Sequence, residues 1–136
     1  VKEYDANGKM VWKLEVPGGP HSLTRLPNGH TLIAVADKDQ NPRLIEVTPE
    51  GKTIWEISNA DIPGKPLKFL GGFQYFSDGR FLITNWTGHV NPKEKVHRLL
   101  VDRQKTVLYS LENTPELQTM SSVYSTDKPA GVASYH

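Results

Sequence analysis

Gly8-Lys9-Met10-Val11-Trp12 returns 43 residues later as Gly51-Lys52-Thr53-Ile54-Trp55. The match extends outward from this core, with Tyr4-Asp5-Ala6-Asn7 answered by Val47-Thr48-Pro49-Glu50 before it and Lys13-Leu14 by Glu56-Ile57 after it. A third, degraded copy runs from Val101 to Leu111 and places Tyr109 in the Trp position, 54 residues beyond Trp55. A second motif alternates with the first. Leu26-Pro27-Asn28-Gly29-His30-Thr31-Leu32-Ile33-Ala34 recurs 50 residues later as Phe76-Ser77-Asp78-Gly79-Arg80-Phe81-Leu82-Ile83-Thr84. Two motifs in fixed alternation define a repeat, and a period of 43 to 54 residues is long enough for four short strands.

Each motif reads as a hairpin. Asn28-Gly29 and Asp78-Gly79 supply residues that tolerate positive φ at both centres of a tight turn. Asn7-Gly8 and Pro49-Glu50-Gly51 do the same with one more residue. Flanking β-branched and aromatic residues predict strands over 22–26, 31–36, 43–47 and 53–57, then over 73–76, 81–85, 96–101 and 106–111. Helical periodicity is absent from the chain. The run Leu32-Ile33-Ala34-Val35-Ala36 does not alternate with polar residues, so both faces of that strand must be covered. A β-sandwich would leave one polar face per strand. The expected fold is therefore all-β, a partial β-propeller of four-stranded antiparallel blades, about three in this chain. Its parts are the outer two strands of a blade over 1–16, full blades over 21–57 and 69–111, and the inner strand or strands of a last blade over 118–136, including one over 119–125. Trp12 and Trp55 are expected in the core, on outer strands.

These runs also carry a resemblance. Gly-Lys-x-x-Trp at 8–12 and 51–55 resembles the tryptophan-docking repeat of pyrroloquinoline-quinone-type propellers, in which the Trp of the outermost strand docks between adjacent blades. Leu70-Gly71-Gly72-Phe73-Gln74, Thr84-Asn85-Trp86-Thr87-Gly88-His89 and Met120-Ser121-Ser122-Val123 resemble uncharacterised bacterial propellers of the same superfamily. The resemblance implies a periplasmic or secreted bacterial protein. The quinone dehydrogenases hold their cofactor with a vicinal cysteine pair, and this chain has no cysteine, so no cofactor is expected. More distantly, Pro20-His21-Ser22-Leu23-Thr24-Arg25-Leu26-Pro27-Asn28-Gly29 is similar to the His-bearing strand of bacterial arylsulfotransferase propellers, which pass a sulfuryl group through a histidine nucleophile.

Composition narrows the field. Sixteen basic against fifteen acidic side chains leave a net charge of +1, which offers no field for nucleic acid. The longest purely apolar run, 32–36, is too short to span a membrane. Three Trp, five Tyr and four Phe exclude disorder. Zero cysteines remove disulfides and thiolate chemistry. No His pair has metal-ligand spacing, and no metal is expected. The opening Val1-Lys2-Glu3 has neither Met nor an apolar leader and is read as a processed, excised or incomplete chain. The expected partners are the missing blades of a parent protein or a second copy of the chain, since three blades leave apolar faces bare.

Meander parity places the tight turns at one end of the blades and every long loop (17–21, 37–42, 58–70, 85–95 and 112–118) at the other. Long loops on a rigid scaffold are where binding concentrates. His21, Gln74, Asn85, Trp86 and His89 are the ligand-binding candidates at that end. Gly71-Gly72 would let a ligand approach the backbone. A Trp face with amides and neutral imidazoles suits a small polar or carbohydrate-like ligand. The preferred reading is a non-catalytic binding scaffold. The alternative is a sulfotransferase with His21 as nucleophile; Ser22 stands where that strand commonly has Asp, and Gly71 where a second His would stand.

Overall fold

A computed structural model of the chain describes residues 1–36, 41–88, 96–112, 120 and 122–125. The first sheet has two strands, β1 (Lys2–Tyr4) and β2 (Met10–Lys13). The second joins β3 (Gly19–Arg25), β4 (Thr31–Ala36), β5 (Arg43–Val47) and β6 (Thr53–Ile57) in sequential order. The third repeats this with β7 (Leu70–Tyr75), β8 (Phe81–Asn85), β9 (Val96–Val101) and β10 (Val107–Glu112). All pairings are antiparallel. The described residues contain no helix, and so none long and apolar enough to cross a membrane.

The turns form as their residues dictate. Gly29, Gly79, Gly51 and Gly8 all have positive φ, at 84°, 90°, 89° and 77°. At the outer hairpins the same bond pair recurs: Asp5, Thr48 and Asp102 donate their amides to the carbonyls of Lys9, Lys52 and Thr106. The third copy places Lys105, at φ 68°, where the first two have glycine.

The central sheet is covered on both faces, which is why β4 is buried from Thr31 through Val35. Ile33, Val35, Ile45 and Val47 pack against Val1, Leu14 and Val16 of the first sheet's segment. Leu32, Ala34, Leu44 and Ile57 join Phe81, Ile83, Leu99 and Val101 of the third sheet in the main core. The non-alternating run thus marks a strand between two layers.

Three expectations need correction. Trp12 and Trp55 occupy equivalent positions on β2 and β6, but both are only half-buried, at the sheet edges. The inner strands start earlier than predicted, at Gly19 and Leu70, because each carries a bulge that lets pairing continue. Met120 and residues 122–125 have no regular secondary structure where a strand was expected. Thr119, Ser121 and residues 126–136 lie outside the described residues.

Candidate functional site

The inner-strand bulges position the site. Pro20 pairs with Val35 and Ser22 with Ala34, so His21 is the extra residue in β3. Leu70 pairs with Asn85 and Gly72 with Thr84, so Gly71 is its counterpart in β7. The two are 50 residues apart, the period of the second sequence motif. A bulged residue escapes strand alternation and can be aimed away from the sheet. His21 is exposed, and its ring lies 4.1 Å from that of Phe69, tilted by 51°. Phe69 in turn meets Trp86 edge-on at 5.4 Å and 74°. The Trp86 amide donates to the Phe69 carbonyl at 2.8 Å, which fixes this pair across the mouth of β7 and β8. His21, Phe69 and Trp86 therefore make one aromatic shelf that bridges two sheets. Sequence reasoning found its two ends and missed Phe69; the signal was an aromatic immediately before a strand that starts at a bulge.

The other candidates divide. Asn85 is fully buried and its amide is filled. Its Oδ1 accepts from the Lys68 and Phe69 amides at 2.7 and 3.3 Å, and its Nδ2 donates to the Pro66 and Val96 carbonyls at 3.2 and 2.8 Å. It has no group left for a ligand; its work is to hold Phe69 in place. Gln74 is buried and brackets the backbone of Ser125, accepting from its amide at 2.6 Å and donating to its carbonyl at 3.4 Å. Gln74 pairs in register with Leu82, on the face opposite the main core, so it does not join the shelf. His89 lies outside the described residues.

The 58–69 segment was expected to stay at the long-loop end. Instead it reaches the outer edge of the third sheet, where Lys65 donates to Ser110 at 2.9 Å and Asp61 pairs with Lys105 at 2.7 Å. That pairing holds the Asp61 carboxyl below its ordinary pKa: the Lys105 hydrogen bond leads, burial pulls the other way, and Ser58 adds amide and hydroxyl donors.

At the tight-turn end lies a cluster the sequence did not announce. Glu46 on β5 is 2% exposed, yet carries a carboxylate. His30 Nδ1 sits 2.8 Å from one oxygen, and the Arg103 guanidinium of the third sheet binds the other. Burial opposes the charge of Arg103, but hydrogen bonds with Tyr75 and Glu46 outweigh it and raise its pKa. His30, which follows the Asn28-Gly29 turn, is thus part of an inter-sheet tie. Beside it, Trp55 Nε1 donates to the Arg103 carbonyl at 2.9 Å, as Trp12 Nε1 does to the Pro49 carbonyl at 2.9 Å. Pro49 and Arg103 occupy the same place in their outer turns, so one contact is repeated between successive sheets. What surrounds it differs: Arg25 covers the Trp12 ring at 4.5 Å and bonds Thr31, whereas Trp55 stacks on Phe81 at 4.8 Å, beside Tyr75. His97 is fully buried on β9, with neither ring nitrogen bonded among the described residues. No group of three or more His, Cys, Asp or Glu among the described residues could hold a metal ion.

No family model matches the chain. No curated protein matches it. Among solved structures, a protein of unknown function from Bacteroides caccae, determined at 1.35 Å, is 25% identical with a TM-score of 0.69. The match covers 82% of this chain and 41% of that one, so this chain spans about two fifths of the length of its neighbour.

Proposed function

We propose that the two four-stranded sheets are consecutive blades of a β-propeller, and that the chain is a non-catalytic scaffold binding a small, uncharged polar ligand of the carbohydrate class at the His21–Phe69–Trp86 shelf. The carrying observation is that shelf: three rings from two sheets, in contact through Phe69, at the end where the inner strands open. Sequential meander order and the repeated indole-to-carbonyl contact support the blade reading. Aromatic faces pack against the C–H faces of a sugar, while an imidazole beside them bonds its hydroxyls.

Sulfuryl transfer by His21 is the second reading, favoured by one feature, an imidazole aimed outward from a bulge. Such a nucleophile needs a group to orient it and a cation to hold the sulfate. The described groups beside its ring are instead the phenyl ring of Phe69 and the backbone of Gly19.

A panel of neutral oligosaccharides, titrated by calorimetry, tests the proposal. Saturable binding is expected, weakened about tenfold or more by Trp86→Ala and by His21→Ala, as for an aromatic anchor and its polar neighbour. Binding unchanged in both variants, or absent across the panel, overturns it. In a parallel arm, turnover of an aryl sulfate donor with a phenol acceptor that disappears in His21→Ala replaces the scaffold with the enzyme.

A further inference from the structure

We infer that Asn7 is a site of spontaneous deamidation in the folded chain, and that the fold withholds the same chemistry from Asn28. Each precedes a glycine, the successor that hinders attack on the side-chain amide least. Each also stands third in the same five-residue turn. Asp5 and Leu26 donate their amides to the carbonyls of Lys9 and His30, and their own carbonyls accept from Gly8 and Gly29, all at 2.8 to 3.0 Å.

The two turns differ in what holds the amide of the fifth residue. In the 26–30 turn the His30 amide donates to Asn28 Oδ1 at 3.0 Å. The 76–80 turn repeats this with Arg80 and Asp78 at 3.1 Å. In the outer turns the first residue does that work instead. Asp5, Thr48 and Asp102 accept from the amides of Lys9, Lys52 and Thr106 at 2.9, 3.3 and 2.8 Å. Asp5 accepts from the Asn7 amide as well, at 2.9 Å. With the Lys9 amide already taken, the Asn7 side chain makes no hydrogen bond among the described residues. Asn28 is confined further, because its Nδ2 lies 3.3 Å from the His30 ring that Glu46 holds.

The reaction needs only water. The Gly8 backbone nitrogen gives up its proton and attacks Asn7 Cγ; the Cγ–Nδ2 bond breaks and ammonia leaves. Water then opens the five-membered imide at Cγ, giving aspartate, or at the main-chain carbonyl, giving iso-aspartate. Each glycine amide must first leave its turn carbonyl, but Asn28 must also surrender the His30 amide before Cγ can reach Gly29. At the net worth of one hydrogen bond, that extra step slows Asn28 about fivefold. The aspartyl product suits the turn, since Asp78 holds the same place in the 76–80 turn. The iso-aspartyl product adds a methylene to the main chain inside a turn closed by two bonds, which loosens the β1–β2 hairpin. Either product cancels the net charge of +1.

Trypsin separates the two sites into peptides 3–9 and 26–38. In the folded chain aged at mildly alkaline pH, peptide 3–9 should convert about fivefold faster than 26–38, read by mass spectrometry and by iso-aspartyl methyltransferase labelling. In urea, where the turns are lost, the two rates should converge. Ion exchange of the aged chain should show an acidic form that is largely missing from Asn7→Ser. No conversion of 3–9, equal rates in the folded chain, a difference that persists in urea, or an acidic form that grows as fast in Asn7→Ser overturns the inference.

Discussion

Gly51 answers to two constraints at once. Its φ of 89° lies in the left-handed region, and a Cβ there would come within 2.6 Å of Leu14 Cδ1 on the neighbouring sheet's segment. Gly8 holds the same turn position at 77° with nothing within 4 Å. Gly8→Ala should therefore cost only the backbone term, about 1 kcal/mol. Gly51→Ala should cost somewhat more, about 1–2 kcal/mol, because the Leu14 methyl must also move. Urea unfolding of the two variants checks the difference; equal losses would mean that Leu14 yields freely. The third copy shows what overrides the glycine preference. Lys105 accepts φ 68° and its ammonium reaches Asp61. The turn motif itself was legible in Asn-Gly, Glu-Gly and Asp-Gly, but the crowding at Gly51 was not, because it comes from a segment 37 residues earlier.

At the level of elements, the tie between the second and third sheets depends on one buried carboxylate. Glu46 meets an imidazole from its own sheet and a guanidinium from the next. A buried charge is tolerated only while it is paired. Glu46→Gln should destabilise the chain by about 3 kcal/mol, the lower range for losing one partner of a buried pair, since Arg103 is 31% exposed. Thermal or urea unfolding measures it, and a loss below about 1 kcal/mol would show the cluster to be ornamental. Position 46 reads as an ordinary alternating polar residue in Leu44-Ile45-Glu46-Val47. Only the packing of the third sheet over it makes it a buried acid. The bulges at His21 and Gly71 were likewise invisible as bulges, although the 50-residue spacing had already matched the two positions.

Over the whole molecule, acid should loosen the stack of sheets. Asp61, on the segment joining the second sheet to the third, has its carboxyl pKa lowered chiefly by Lys105. A carboxylate whose pKa is lower folded than unfolded stabilises fully above its unfolded value, about 4, and loses that contribution as pH falls through it toward the folded value. The native chain should therefore be more stable than Asp61→Asn at pH 7, and the gap should close below about pH 4. Stability measured by urea unfolding from pH 7 to pH 2 tests this, and a gap that stays constant would place the effect elsewhere than in the ion pair.

What the sequence determined by itself is the repeat and its strands. Alternating hairpin motifs placed the ten strands of the described residues to within a few positions, because turn chemistry is local and the side-chain period of a strand needs no partner to be read. The unbroken apolar run at 32–36 also foretold a sheet covered on both faces. The tertiary structure decided the chemistry. Asn85 was spent on holding the backbone of residues 66–69, Gln74 was turned to the far face, and Phe69 was inserted between His21 and Trp86. Such assignments depend on which loop a side chain meets across two sheets, and no spacing along the chain records that meeting.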